Sequence, residues 1–164
     1  MMDDRTGSSK QDRAHPGHGP ARYDRDLYSW AVEQAALLRA GRIAEIDAHN
    51  IAEELDDVGN EQYEKLESAL RIILLHLLKW DHQPERRSRS WSSSIAVQRK
   101  HVSKVLRKNP GLQPLIDEAT SEGYEIARIE AAAQTLLEED IFPHECPYSW
   151  HEIMERKIVW PEQA

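Results

Sequence analysis

The chain has 164 residues, 30% of them charged, with a mean hydropathy of -0.71 and a net charge of -8. That length fits one domain with a core large enough to need no disulfide or metal staple, and the single cysteine, Cys146, excludes an internal disulfide and points to a reducing compartment. No apolar run stands near the N-terminus, and the most apolar stretch, Leu70 to Trp80, is interrupted by Arg71, His76 and Lys79, so neither a signal peptide nor a membrane span is expected and the cytoplasm is the expected location.

Residues 1–22 are rich in Gly, Pro, Ser, Asp and Arg and too poor in apolar side chains to offset their ordering entropy, which predicts a disordered tail. His15 and His18 belong to that composition rather than to a metal site. Helical signals then follow one another. Asp24 is the expected cap of a first helix carrying Leu27, Ala31, Ala35 and Leu38 and stopping at Gly41. Asp47 is the expected cap of a second, with Ile51, Leu55 and Val58 in line before Gly59. From Asn60 the apolar residues Tyr63, Leu66, Leu70, Ile73, Leu77 and Trp80 alternate in steps of three and four, which predicts the central, most buried helix.

Pro84 ends that helix, and a basic connector leads to a fourth carrying Trp91, Ile95, Val102, Val105 and Leu106. Asn109-Pro110-Gly111 separates it from a fifth, from about Leu112 to Leu137, with Leu115, Ala119, Ile126 and Ala133 expected inside. Its small residues favour close approach to a neighbour. Ser149 and Glu152 have the spacing of a capping box for a short last helix. No segment alternates with period two. The fold expected is all-α: residues 23–164 as a single helical-bundle domain of about five main helices plus a short C-terminal one.

Charge is unevenly distributed. Between Lys79 and Lys108 nine basic residues face two acidic ones, whereas Glu45 to Glu67 holds nine acidic residues and one lysine.

Several spaced blocks carry a resemblance. They are Tyr23-Asp24-x-Asp26-x-Tyr28-x-Trp30, Asn50 to Leu55, His76-Leu77-Leu78-Lys79-Trp80, and Gln83-Pro84-Glu85 with Arg87-Ser88-x-Ser90-Trp91. Gln98-Arg99, Phe142-Pro143 and Cys146-Pro147-Tyr148-Ser149 complete the set. In these blocks, from about Tyr23 to Met154, the chain resembles the bacterial family known as domain of unknown function 29. The resemblance implies an all-helical bacterial fold and assigns no activity, substrate or site residue.

Familiar catalytic patterns are missing or broken. There is no Gly-rich phosphate loop followed by Lys-Ser or Lys-Thr. His151-Glu152-Ile153-Met154-Glu155 has Glu155 where a zinc-protease helix needs its second histidine. His144, Cys146 and His151 match no standard zinc spacing, and Cys146 has no base at a diagnostic distance in sequence. No catalytic residue, cofactor or metal ligand is therefore assigned.

Three readings remain. Glu54 lies at the margin of the Ile51-Leu55-Val58 stripe and needs a partner; His76, Lys79, Arg87 and Arg99 are the candidate donors. A Glu54-His76 pair could serve a small metal-dependent enzyme, or the cluster could be a salt bridge holding the basic connector. Arg86, Arg89, Lys100, Lys104, Arg107 and Lys108 form a candidate basic surface for nucleic acid, unless the acidic helices cover them. The favoured expectation is a non-catalytic interaction module that binds a protein partner or a second copy, with Tyr28, Trp30, Trp150 and Trp160 as candidate anchors.

Overall fold

A computed structural model describes residues 23–159 of the chain. The expected tail, with His15 and His18, lies outside the described residues, as does Trp160. What is described is all-α, with no strand among the described residues, and falls into two compact units dividing between Glu54 and Leu55.

The first unit contains α1, Leu27–Arg39, a 3-10 turn at Ile43–Glu45, and the opening turns of α2, which runs from Ala48 to His82. Asp26, not Asp24, caps α1: its carboxylate accepts from the Ser29 amide at 3.0 Å. The inward face shifts with it. Trp30 is only 4% exposed, donates from Nε1 to Asp47 Oδ2 at 3.2 Å, and meets the Tyr23 ring edge-on at 4.9 Å. Gln34, one turn later, is also buried and accepts from the Asp47 amide at 2.8 Å. Leu27, Ala31 and Leu38, expected inside, are exposed instead, because the larger indole claims the interior. Gly41 follows α1 with φ of 71°, the left-handed stop expected of it. Asp47 stands just before α2, and its Oδ1 accepts from the Asn50 amide at 3.4 Å, as expected of a cap.

The largest correction concerns Gly59, which interrupts nothing: α2 is one helix of 35 residues. An interior glycine costs about 1 kcal/mol, too little to end a helix whose later turns are anchored in a core. The expected second and third helices are thus one. The Leu55-Val58 stripe is not buried either, those side chains being 66% and 58% exposed.

In the second unit the later turns of α2 form the core. Leu66, Ala69, Leu70, Ile73, Leu74, Leu75, Leu77, Leu78 and Trp80 are all buried, and each fully buried Leu or Ile contributes roughly 1.5–3 kcal/mol. The next long helix, α3, spans Arg89–Lys108, is capped by Ser88, and contributes Ile95, Val102 and Leu106. A 3-10 stretch at Pro110–Leu115 precedes α4, Ile116–Thr135. Ala119 is buried there as expected, but Leu115, Ile126 and Ala133 are exposed, and Gly123, Tyr124, Ala127 and Ala131 take the inner face. The reason is proximity to α2. A methyl group on Gly123 would stand 3.1 Å from the Glu67 carbonyl oxygen and 3.2 Å from the Arg71 amide nitrogen. Only the small-residue face fits that gap. Last comes α5, Trp150–Glu155, with both halves of the Ser149/Glu152 capping box formed. No helix among the described residues is long and apolar enough to cross a membrane.

Candidate anion-binding surface

Helix α3 contains no Asp or Glu. Ile95, Val102 and Leu106 are buried, and a run of cations lies among its outward positions. Lys100, Lys104, Arg107 and Lys108 are exposed, and Arg86 of the connector and Arg89 at the start of α3 are exposed as well. None of the six is paired with a carboxylate among the described residues.

Two grooves flank this ridge. The larger, of about 500 Å³, lies between α2 and α3. Ala69, Ile72 and Val105 give it apolar lining, while Lys65, His101, Lys104 and Lys108 supply cationic or protonatable groups. Gln62, Ser68, Gln98 and Asn109 add neutral polar groups. Asn109 Nδ2 donates to Gln62 Oε1 at 3.4 Å and to the Val105 carbonyl at 3.0 Å. Lys65 pairs with Glu61 at 2.8 Å. The side chains of Ser68, Gln98 and His101 have no hydrogen-bond partner among the described residues and retain their capacity for a ligand. A second groove, of about 420 Å³, lies on the other flank and is lined by Arg99, Lys100, Ser103, Lys104, Arg107 and Met154. Lys104 lines both.

The polar-cluster residues have separate surroundings. Glu54 accepts a hydrogen bond from Tyr23 Oη at 2.8 Å in the first unit, beside the exposed His49-Glu53 pair at 3.4 Å. In the second unit His76 and Lys79 share a neighbour in Trp91. The Lys79 ammonium stands 4.5 Å over that ring and donates to Gln134 Oε1 at 2.7 Å, and the His76 ring centroid is 6.5 Å away. Burial, with the Lys79 charge adding to it, pushes the His76 pKa down to about 4, and burial lowers that of Lys79. Arg87 donates to the Trp80 carbonyl at 2.9 Å and lies over its ring. Arg99 donates to the carbonyls of Ile153, Arg156 and Glu152 at 2.7, 2.8 and 3.0 Å, so it caps the end of α5.

In the loop before α5, His144 meets Arg128 at 3.2 Å and the Cys146 thiol meets the Tyr148 carbonyl at 3.7 Å, and within α5 His151 pairs with Glu155 at 3.4 Å. Burial pushes the Cys146 pKa up, which disfavours the thiolate a nucleophile needs. Among the described residues no three His, Cys, Asp or Glu side chains are grouped so as to hold a metal. Of the candidate anchors, Tyr28 is 80% exposed and Trp150 is exposed, whereas Trp30 is core.

Sequence reasoning missed the α2 wall of the groove. Gln62, Lys65, Ser68, Ala69 and Ile72 recur at helical spacing, as do Gln98, His101, Lys104 or Val105, and Lys108 on α3. Each set is readable as a helix face; that the two faces oppose each other is not.

By its helices the chain is an all-α helical bundle. Within that class it belongs to the family described as "Domain of unknown function DUF29", which matches residues 22–159. No curated protein matches the chain, and no solved structure does.

Proposed function

We propose that the chain is a non-catalytic binding protein whose working surface is the basic ridge of α3, and that this surface takes the phosphate backbone of nucleic acid. The observation that carries the reading is the absence of a carboxylate partner, among the described residues, for any of Arg86, Arg89, Lys100, Lys104, Arg107 and Lys108. Unpaired exposed cations on one helix retain the counterions whose release drives phosphate binding. Nine basic and two acidic residues give the segment from Lys79 to Lys108 a balance of +7 within a chain of net charge -8, so positive charge is concentrated in this part of the sequence. Reversing Lys100, Lys104 and Arg107 to Glu should weaken binding of a labelled oligonucleotide by at least about tenfold, a loss of roughly 1.4 kcal/mol or more, with the thermal melt unchanged. Equal affinity of the wild type and the folded triple variant would refute the reading.

A second reading, protein interaction, rests on a different observation. Leu55 and Val58 on α2 are more than half exposed, and large apolar side chains in helical register suit a partner helix. Replacing both by Ser should then dissociate a complex visible by sedimentation at high concentration. A wild-type chain that sediments as a lone monomer in the presence of its host's soluble proteins would count against it.

A further inference from the structure

We infer that the groove between α2 and α3 lodges a base, so that the nucleic acid taken by this chain is single-stranded; this rests on the phosphate-binding reading of the α3 ridge. A duplex needs only a charged face, and its bases are stacked away from the protein unless an element enters a groove. A single strand offers unstacked bases along with phosphates. The α2–α3 groove has chemistry for both parts.

Its volume of about 500 Å³ has room for a nucleotide. Ile72 and Val105 provide an apolar wall for the flat faces of a base. Ser68 and Gln98 offer hydrogen bonds to its edges and have no partner among the described residues. Lys104 lines this groove and the basic one across the ridge, so one cation meets a strand on both flanks of α3. Lys108 closes the row. Such a layout places phosphates along the ridge with one base turned into the groove. A site for phosphate alone has no use for the apolar wall or for the uncommitted amide of Gln98.

The test compares a labelled thymidine oligonucleotide with a duplex of equal length, both against the full chain. A Ser68→Leu/Gln98→Leu variant removes the groove's uncommitted hydrogen-bonding groups without changing charge, and a Lys104→Glu/Arg107→Glu variant changes the ridge. The expected result is single-strand binding tighter than duplex binding by about tenfold, with that preference lost in the groove variant. The ridge variant should weaken both. Duplex binding as tight as single-strand binding, or a groove variant that keeps the preference, overturns the base-lodging proposal; the phosphate reading then survives if the ridge variant still fails to bind. No binding of either nucleic acid by the wild type overturns both. Should the groove variant not fold, photocrosslinking of a 4-thiothymidine oligonucleotide to the wild type decides. Crosslinks within Gln62–Ile72 or Gln98–Asn109 support the proposal, and crosslinks confined elsewhere overturn it.

Discussion

His76 stands in the most apolar stretch of the chain, and its buried Nδ1 has no hydrogen-bond partner among the described residues. Burial pushes its pKa down to about 4 from an ordinary 6.5, so the folded chain keeps the ring neutral. Between those two values the unfolded chain binds the extra proton, and stability therefore rises with pH across that window. Acidification from pH 6.5 toward 4 should lower the urea midpoint of the wild type more than that of His76→Leu, with no such difference in slope above pH 7. Parallel declines in the two proteins would show that His76 does not couple to folding. At Asp81 the fold favours the charged form instead of the neutral one, with the same direction of pH dependence. Burial would raise its pKa, but hydrogen bonds from Arg156 at 2.6 and 2.8 Å and from Tyr148 at 2.9 Å outweigh that and hold it below the usual value. Its contribution is present above the ordinary carboxylate pKa and is lost as pH falls through the depressed one. Asp81→Asn should cost roughly 1.5–3 kcal/mol at neutral pH by urea denaturation; a cost near zero would mean the three-residue link is dispensable.

At the scale of elements, two glycines separate what is legible in sequence from what is not. Gly59 and Gly123 both lie inside helices. Nothing lies within 4 Å of a methyl group placed on Gly59, whereas one on Gly123 would crowd the backbone of α2 at 3.1 Å. Gly59→Ala should therefore stabilise the protein by up to about 1 kcal/mol, and Gly123→Ala should destabilise it by roughly 1–3 kcal/mol. A destabilising Gly59→Ala would argue for a helix break at that position and against a continuous α2. The Leu66 to Trp80 turns are evident from spacing alone, because so many large apolar residues recur that only a central helix can bury them. Gly59 misleads because a glycine near a helix end and a tolerated interior glycine look alike without the tertiary anchor. The α4 face misleads for a related reason. Ile126 looks more like core than Gly123, yet the gap to α2 admits only the smaller residue. On α1 the indole of Trp30 decides the register that leucine spacing does not.

For the molecule as a whole, the separation of charge is visible in sequence, but its consequence is not. A basic helix and an acidic helix in one chain can neutralise each other or leave each face free. The outcome depends on which faces oppose, and α3 turns Ile95, Val102 and Leu106 inward and its unpaired cations out. The same dependence hides the groove, whose two walls are far apart in sequence. It also explains why the candidate cluster of Glu54, His76, Lys79, Arg87 and Arg99 reads as one unit in sequence: each is a polar group needing a partner, yet Glu54, Lys79, Arg87 and Arg99 find theirs locally and His76 has only the Trp91 ring beside it. The central claim, phosphate binding along α3, is tested most directly by the salt dependence of oligonucleotide affinity in fluorescence anisotropy. With Lys100, Lys104, Arg107 and Lys108 each meeting a phosphate, the logarithm of the association constant should fall against the logarithm of salt concentration with a slope near -3, about 0.7 per phosphate. Affinity that does not change between about 50 and 200 mM salt, or binding undetectable at the lower concentration, would contradict it.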